Sequence, residues 1–116
     1  MGIERKHVNQ RMSQIVTNGG LVYLAGQVAL DAPGTSVAEQ TRATLARIDA
    51  LLAEAGTDKS KILSANVWLA DISTFDEMNS VWDAWVAVGN PPVRACVEAK
   101  LADPSFTVEI MVTAAA

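Results

Sequence analysis

The stretch SVAEQTRATLARIDALLAEAGTDKSKILSANVWLA, residues 36–70, decides the fold class because its hydrophobic period changes once along its length. In the first half, small and apolar residues recur every three or four positions. This spacing predicts a helix with one buried face, made of Val37, Thr41, Leu45, Ile48, Leu52 and Ala55. Ser36 can cap the helix, and Glu39 has the capping-box spacing from it. Gly56 can end the helix in the left-handed conformation.

The second half of this stretch, residues 62–70, alternates with a period of two and predicts a strand. Successive side chains of a strand point to opposite faces, so the two alternating sets have different surroundings. The purely apolar set is expected to face the helices and consists of Leu63, Ala65, Val67 and Leu69. The mixed set, with Asn66 and Trp68, is expected on the other face.

Upstream, a hairpin is predicted around Asn18-Gly19-Gly20, which tolerates the positive φ angles of a tight turn. Its strands are residues 15–17 and 21–28, and a further edge strand is expected near residues 3–8. Downstream, a second helix is predicted from Ser73 to Gly89, where Pro91-Pro92 prevents continuation. Its apolar stripe consists of Phe75, Met78, Trp82, Trp85 and Val86.

Residues 93–99 and 106–113 are the last two predicted strands, and their six-residue connection favours an antiparallel hairpin. The element order therefore predicts one domain over residues 1–116 of the α+β class. In this two-layer arrangement, two helices cover one face of a mostly antiparallel six-stranded sheet.

The predicted hairpin has two distinct faces. Strand alternation predicts that one face lies in the core and consists of Ala95, Val97, Ala99, Val108, Ile110 and Val112. The opposite face consists of Arg94, Cys96, Glu98, Thr107, Glu109 and Met111. Cys96 would then lie opposite Glu109, with Arg94 diagonal to it, roughly 5–8 Å apart. The same helix-free face is expected to carry Asn66, Trp68, Tyr23, Ala25 and Gln27. A mixed face with these apolar residues predicts an oligomer that covers it and leaves clefts at its seams.

Composition limits the classes of function. The net charge is −4, and the longest cationic cluster is the pair Arg5-Lys6, which disfavours nucleic-acid binding through a basic face. One cysteine and one histidine give no metal-ligand spacing. The polar N-terminal residues do not resemble a signal peptide, and no apolar run suffices for a membrane span. These features together predict a cytoplasmic protein without metal.

The segment Pro92-Val93-Arg94-Ala95-Cys96-Val97-Glu98, followed by Val108-Glu109-Ile110, resembles the C-terminal signature of the RidA/YjgF family. In that family an arginine opens the penultimate strand and a glutamate lies fifteen positions later, as Arg94 and Glu109 do. Further similarities are Val22-Tyr23-Leu24-Ala25-Gly26-Gln27-Val28 and Phe75-Asp76-Glu77-Met78-Asn79. Arg11-Met12-Ser13-Gln14 and Trp82-Asp83-Ala84-Trp85-Val86 are nearest the YoaB-like branch.

The resemblance implies a chorismate-mutase-like (RidA) fold, a homotrimer with clefts between subunits, and no cofactor. The implied reaction is hydrolysis of reactive 2-enamine or 2-imino acids to 2-keto acids and ammonia, a form of metabolite damage control. In the implied site, Arg94 holds the substrate carboxylate and Glu109 activates water. The remaining substrate-binding positions are Cys96, Asn79, Met12, Ala25 and Gly26.

Two positions depart from the family pattern, because Met12 replaces a tyrosine and Ala25 replaces a serine that active members often carry. Both changes remove a hydroxyl group, which predicts looser substrate orientation or a larger, more apolar substrate. Three alternatives stay open. Arg94 and Glu109 could form a structural ion pair. The clefts could bind a small carboxylate metabolite without catalysis. The chain could also act as a holdase-like interaction protein.

Overall fold

The structure, a computed structural model, describes residues 2–116 and contains one six-stranded sheet with two α-helices. The strands are β1 (Glu4–Val8), β2 (Ser13–Asn18), β3 (Leu21–Leu24), β4 (Ile62–Leu69), β5 (Val93–Glu98) and β6 (Val108–Ala115). The helices are α1 (Val37–Glu54) and α2 (Phe75–Trp85), and short 3-10 turns span Lys59–Lys61 and Ile72–Thr74. The predicted α+β class is confirmed.

The strand order in the sheet is β1-β2-β3-β6-β4-β5. Every neighbouring pair is antiparallel except β4 and β5, which are parallel. The hydrophobic core lies between the two helices and the central strands, with Ile48 of α1, Met78 of α2 and Ile110 of β6 all fully buried. Among residues 2–116, no helix is long and apolar enough to cross a membrane.

Helix α1 forms as its sequence predicts. The Glu39 N–H donates to Ser36 Oγ at 3.2 Å, which caps the helix. The Glu39 carboxylate does not complete the capping box, because it accepts from Arg42 instead. The predicted stripe is buried, apart from a half-buried Ala55. Gly56 has a φ of 82° and follows the last turn, as expected for a glycine after a helix.

The first hairpin is also confirmed, with β2 and β3 joined through Gly19 and Gly20 at φ angles of 59° and 82°. The second strand ends at Leu24, however, four residues earlier than predicted. The chain continues irregularly and pairs again only at Gln27, which bridges Ile110. Between Tyr23 and Gln27 the chain uses one residue more than β6 does opposite it. This extra residue reverses the side-chain alternation.

The predicted pairing of the last two strands is wrong. β5 lies at the edge of the sheet, parallel to β4, and β6 lies on the other side of β4. The physical reason is the crossover: α2 returns the chain to the start of β4, so the next strand runs parallel beside it. The connection after β5 then passes the end of β4 before β6 begins.

This topology reverses the predicted faces of β5. Arg94 and Cys96 pair with Ala65 and Val67, which are buried beneath the helices, so both lie on the helix side. The residues predicted for the core lie on the other face: Ala95 and Val97 are exposed and Ala99 is half-buried. For β6 the prediction is confirmed, because Val108, Ile110 and Val112 are buried.

Smaller corrections concern β4 and α2. Leu63 is 49% exposed because a bulge between Ile62 and Ser64 turns it away from the core and buries Ile62 instead. Helix α2 begins at Phe75, after a 3-10 turn whose cap is Asp71, and ends at Trp85. Gly89, with a φ of 80°, therefore lies in the following turn and does not end the helix.

Candidate functional site

Arg94 is held between the edge strand and α2. Its Nη1 donates a hydrogen bond of 2.8 Å to Asn79 Oδ1. Its Cζ lies 5.0 Å from the ring centroid of Trp82 and 5.7 Å from that of Phe75, both distances typical of cation–π contact. Phe75, Asn79 and Trp82 occupy one face of α2, since they are four and three residues apart. The guanidinium is therefore fixed by one amide and two aromatic rings.

No carboxylate pairs with this half-buried arginine anywhere in residues 2–116. Asn79 accepts through a neutral oxygen, so the positive charge is not compensated locally. A guanidinium has five N–H donors, and the single bond to Asn79 leaves most of them for another acceptor. A planar anion such as a carboxylate is the ligand that this fork matches best.

Cys96 follows on the same side of β5 and packs against the hydrophobic core. Burial raises the pKa of its thiol above the ordinary value, and the nearby Arg94 opposes this shift through its positive charge. At neutral pH the thiol therefore stays protonated. Cys96 can line a pocket at this position, but it lacks the thiolate character of a nucleophile.

We expect alkylation of Cys96 by iodoacetamide to require a higher pH than alkylation of the same thiol in the denatured chain. The reacting species is the thiolate, so a raised pKa lowers the reactive fraction at each pH. Arg94→Ala should move the profile to still higher pH, because it removes the charge that lowers the pKa. Cys96 is the sole cysteine, so mass spectrometry reports this site alone. A folded-state profile at lower pH would contradict the expectation.

Glu109 belongs to a second group, on the helix-free face. It pairs with Trp68 on β4, and its neighbours Val108 and Ile110 point into the core. Its carboxylate folds over the backbone of Gly26, where a methyl group built on Gly26 would overlap Oε2 and lie 3.2 Å from Cδ. Only a residue without a side chain leaves this space free. Within residues 2–116, the half-buried Glu109 carboxylate makes no hydrogen bond or ion pair.

Ala25 directly precedes Gly26 in the chain, and Met12 directly precedes β2. The Ala25 N–H donates to the Gln14 carbonyl at 3.0 Å, which places the segment before Gly26 beside the start of β2. Met12 precedes that strand in the turn after β1, where its N–H donates to Asn9 Oδ1 at 2.9 Å. Its side chain is 41% exposed. Ala25 is thus the chain neighbour of Gly26, which the Glu109 carboxylate contacts, and Met12 lies in an exposed turn.

The predicted site residues therefore form two groups in one chain, with Arg94, Asn79 and Cys96 on the helix side and Glu109, over the Gly26 backbone, on the opposite face. Strand β4 separates them, because Arg94 pairs with Ala65 whereas Glu109 pairs with Trp68. The predicted proximity of Arg94 and Cys96 to Glu109 is wrong for a single chain, because that proximity depended on the hairpin that does not form.

Sequence reasoning missed three residues at these positions. Trp82 and Phe75 were assigned only to helix packing, although they also flank Arg94. Gln27 was expected on the helix-free face but is buried on the helix side, where it contacts Arg47 of α1. The helical spacing of Phe75, Asn79 and Trp82 was a usable signal once a parallel crossover to β5 was considered.

A cavity of about 420 Å³ lies at the connection between β5 and β6. Its lining includes Lys100, Asp103 and Phe106, and none of the predicted site residues. No cluster of three His, Cys, Asp or Glu side chains suited to a metal ion occurs in the described part of the chain.

Comparison with known proteins identifies the family to which this chain belongs. The model of the family described as Endoribonuclease L-PSP matches residues 3–116. A member of the YjgF protein family from Neisseria meningitidis, NMB1025, has a crystal structure that superimposes with a TM-score of 0.95 at 48% identity, covering 99% of this chain and 95% of that one. The chain belongs to the RidA/YjgF family.

Two curated relatives agree with this membership in the RidA/YjgF family. A RutC family protein of Haemophilus ducreyi is 46% identical over 113 residues, which is 97% of this chain and 96% of that protein. The RutC family protein YoaB of Escherichia coli K12 is 44% identical over 116 residues, which is 99% of each. The predicted family is therefore confirmed, and similarity to YoaB matches the branch that the sequence indicated.

Proposed function

We propose that this RidA/YjgF protein hydrolyses 2-imino acids, formed from unstable 2-enamines, to 2-keto acids and ammonia. The observation that carries the proposal is Arg94, a half-buried arginine that no carboxylate neutralises within residues 2–116. Retaining such a charge is costly unless a ligand pairs with it, because a partly desolvated cation loses hydration. The carboxylate of a 2-imino acid would provide that partner.

The proposed reaction assigns one role to each of the two charged residues. Arg94 would bind the carboxylate and leave the adjacent imine carbon open to water. Glu109, whose carboxylate has no hydrogen-bond or ion-pair partner among residues 2–116, would take a proton as water attacks that carbon. Glu109 would then return this proton to the nitrogen of the resulting carbinolamine, so that the nitrogen can leave as ammonia and the carboxylate is regenerated. The carbon–nitrogen bond breaks, and the hydroxyl becomes the keto oxygen. One water is consumed, and no electron transfer or cofactor is required.

Both residues can act on one substrate only if two copies of the chain contribute. We infer that Arg94 of one copy and Glu109 of another line the same cleft, because the two lie on opposite faces within one copy. The helix-free face also exposes Tyr23 and Met111, each 40% accessible, and Val97, which is 51% accessible. Covering this face in an assembly would bury that apolar surface. The homotrimer implied by the family resemblance is the assembly that we propose.

The name of the matching family model refers to an endoribonuclease, so cleavage of RNA is an alternative to weigh. The net charge of −4 disfavours it, because RNA-binding proteins gain most of their affinity from cationic contacts with phosphates. The exposed cations Arg5 and Lys6 do not lie among the predicted site residues. We therefore favour a small carboxylate substrate over a polynucleotide.

The direct test is release of ammonia and keto acid from freshly generated imines. An amino-acid oxidase would supply imines with a range of side chains, and the purified protein would be added at a fixed oligomer concentration. We expect acceleration over the uncatalysed hydrolysis, with preference for larger apolar side chains because Met12 and Ala25 lack the family hydroxyls. Absence of acceleration with every imine, from a folded oligomer, would refute the proposal for these substrates.

A second candidate function is a non-catalytic binding module for a small carboxylate metabolite. Met12 and Ala25 favour it, because both remove hydroxyl groups that could orient a reacting substrate. Arg94 would serve this function equally well. Glu109 would not, since a second negative charge beside an anionic ligand weakens its binding. A change at Glu109 therefore separates the two functions.

A further inference from the structure

Gln27 is a buried polar residue that the proposed reaction does not use. It is 2% exposed, and its side chain makes three hydrogen bonds. Its Nε2 donates to Gln14 Oε1 at 2.7 Å and to the Ala25 carbonyl at 3.1 Å. Its Oε1 accepts from Arg47 Nε at 3.3 Å. One amide thus joins β2, the irregular segment after β3, and helix α1.

The backbone of Gln27 is also held, by two hydrogen bonds to β6. Its N–H donates to the Ile110 carbonyl at 2.8 Å, and the Ile110 N–H donates back to the Gln27 carbonyl at 3.0 Å. This is an isolated bridge, because the regular pairing of β3 with β6 stops at Tyr23. Ile110 is the residue directly after Glu109. The bridge therefore connects the segment containing Gly26 to β6 at the residue next to Glu109.

The Glu109 carboxylate occupies the space left by the missing side chain of Gly26. Its position consequently depends on where the Gly26 backbone lies. Apart from the bridge, the Ala25 N–H bond to Gln14 and the Gln27 amide hold that backbone. An irregular segment has fewer such restraints than a strand, so each one has more influence on its position.

We propose that Gln27 is a positioning residue for Glu109: its two donated hydrogen bonds hold the Ala25–Gly26 backbone so that the Glu109 carboxylate faces the reacting water. The proposal rests on the proposed function for its kinetic readout. Its structural part, the restraint of Gly26, is independent of any reaction. Gln27 contacts no substrate in this scheme and acts through Gly26.

The informative variant is Gln27→Glu, because it preserves size and the acceptor toward Arg47 but removes both donated hydrogen bonds. Gln27→Leu removes all three and tests the same position without burying a charge. Gln40→Glu is the matched control. Gln40 is also fully buried and donates to two main-chain carbonyls, those of Thr35 and Ser105, away from Gly26.

With wild-type activity established, we expect both Gln27 variants to lower kcat at least tenfold with KM changed less than about threefold. A displacement near 1 Å in a reacting group costs roughly a hundredfold in rate, whereas Arg94, which binds the substrate, is untouched. Gly26→Ala should reproduce this pattern, because its methyl group displaces the carboxylate directly. Unchanged kcat in the Gln27 variants, or an equal loss in Gln40→Glu, would overturn the positioning role.

A second measurement distinguishes failure of this proposal from failure of the proposed function. Amide hydrogen exchange at Ala25 and Ile110, whose N–H groups donate to the Gln14 and Gln27 carbonyls, should be at least tenfold faster in both Gln27 variants than in wild type. Exchange in α1 and β4 should stay unchanged. This holds whether or not imines are hydrolysed. Wild-type exchange rates at these two amides in the variants would overturn the proposal even if the protein is an active hydrolase.

Discussion

Arg94→Ala is expected to lower kcat/KM for 2-imino acids by roughly 30-fold to several thousand-fold. The range corresponds to the loss of about 2–5 kcal/mol when one partner of a partly buried charge pair is removed. In the structure the guanidinium is already oriented by Asn79 and by the ring of Trp82, so the wild-type residue needs little reorganisation to bind a carboxylate. Steady-state ammonia release from oxidase-generated imines measures the effect.

Two variants control this expectation. Arg94→Lys retains the charge but not the planar fork, so it should recover only part of the activity. Arg42→Ala removes an equal charge from the exposed pair with Glu39 and should leave activity within about twofold, since exposed pairs contribute little. Thermal unfolding of each variant separates lost binding from lost packing against Trp82. Full activity in a folded Arg94→Ala protein would exclude Arg94 from the site.

The helix and strand content of this chain could be predicted because each element carries its own signals. Helix α1 has a cap at Ser36, a continuous apolar stripe and a terminating Gly56. The β2–β3 hairpin has its two glycines. Such signals act within a few residues, and they are independent of what the rest of the chain does. The short strand β1 was also expected, near residues 3–8, and all of its residues are exposed.

The position of β5 could not be read from the same local signals. A short connection between two strands favours a hairpin, but the preceding helix crossover had already placed β5 parallel to β4. Only one strand can pair with each edge of β4, and β6 occupies the edge opposite β5. The hairpin prediction therefore failed because a short connection does not force its two strands to pair with each other. A rule that parallel strands follow a helical crossover would have corrected it.

The identity of the candidate site residues depended on resemblance, and their geometry depended on side-chain alternation. Alternation was correct for β6, where Glu109 lies between two buried residues. It failed at Gln27, because one extra residue after Tyr23 exchanges the two faces, and Gly26 within the predicted strand is a residue type that often marks such a bulge. It failed at Arg94 because the strand order, and not the alternation itself, reverses the faces of β5. The separation of Arg94 from Glu109 is thus a tertiary property, and under the proposed function it requires residues from two copies of the chain.

Glu109→Gln is the second change with a large expected effect, a decrease in kcat of roughly 100- to 10,000-fold with KM nearly unchanged. Removal of a general base costs about this factor, and glutamine cannot accept the proton of the attacking water. The variant keeps the size of the side chain, so its seat over Gly26 should be preserved. Single-turnover hydrolysis measures the chemical step, and calorimetry with a stable 2-keto acid measures binding to the same cleft.

The matched control is Glu98→Gln, which removes the same charge from β5, where Glu98 only accepts from the Ile72 N–H. It should leave kcat within about twofold, since its partner is a backbone amide at the surface. The binding-module alternative predicts something different at Glu109: equal or tighter binding of the keto acid and no wild-type turnover to lose. Hydrolysis that survives Glu109→Gln would require another base. Because Arg94 serves both functions, the response at Glu109 decides between a hydrolase and a receptor for carboxylates.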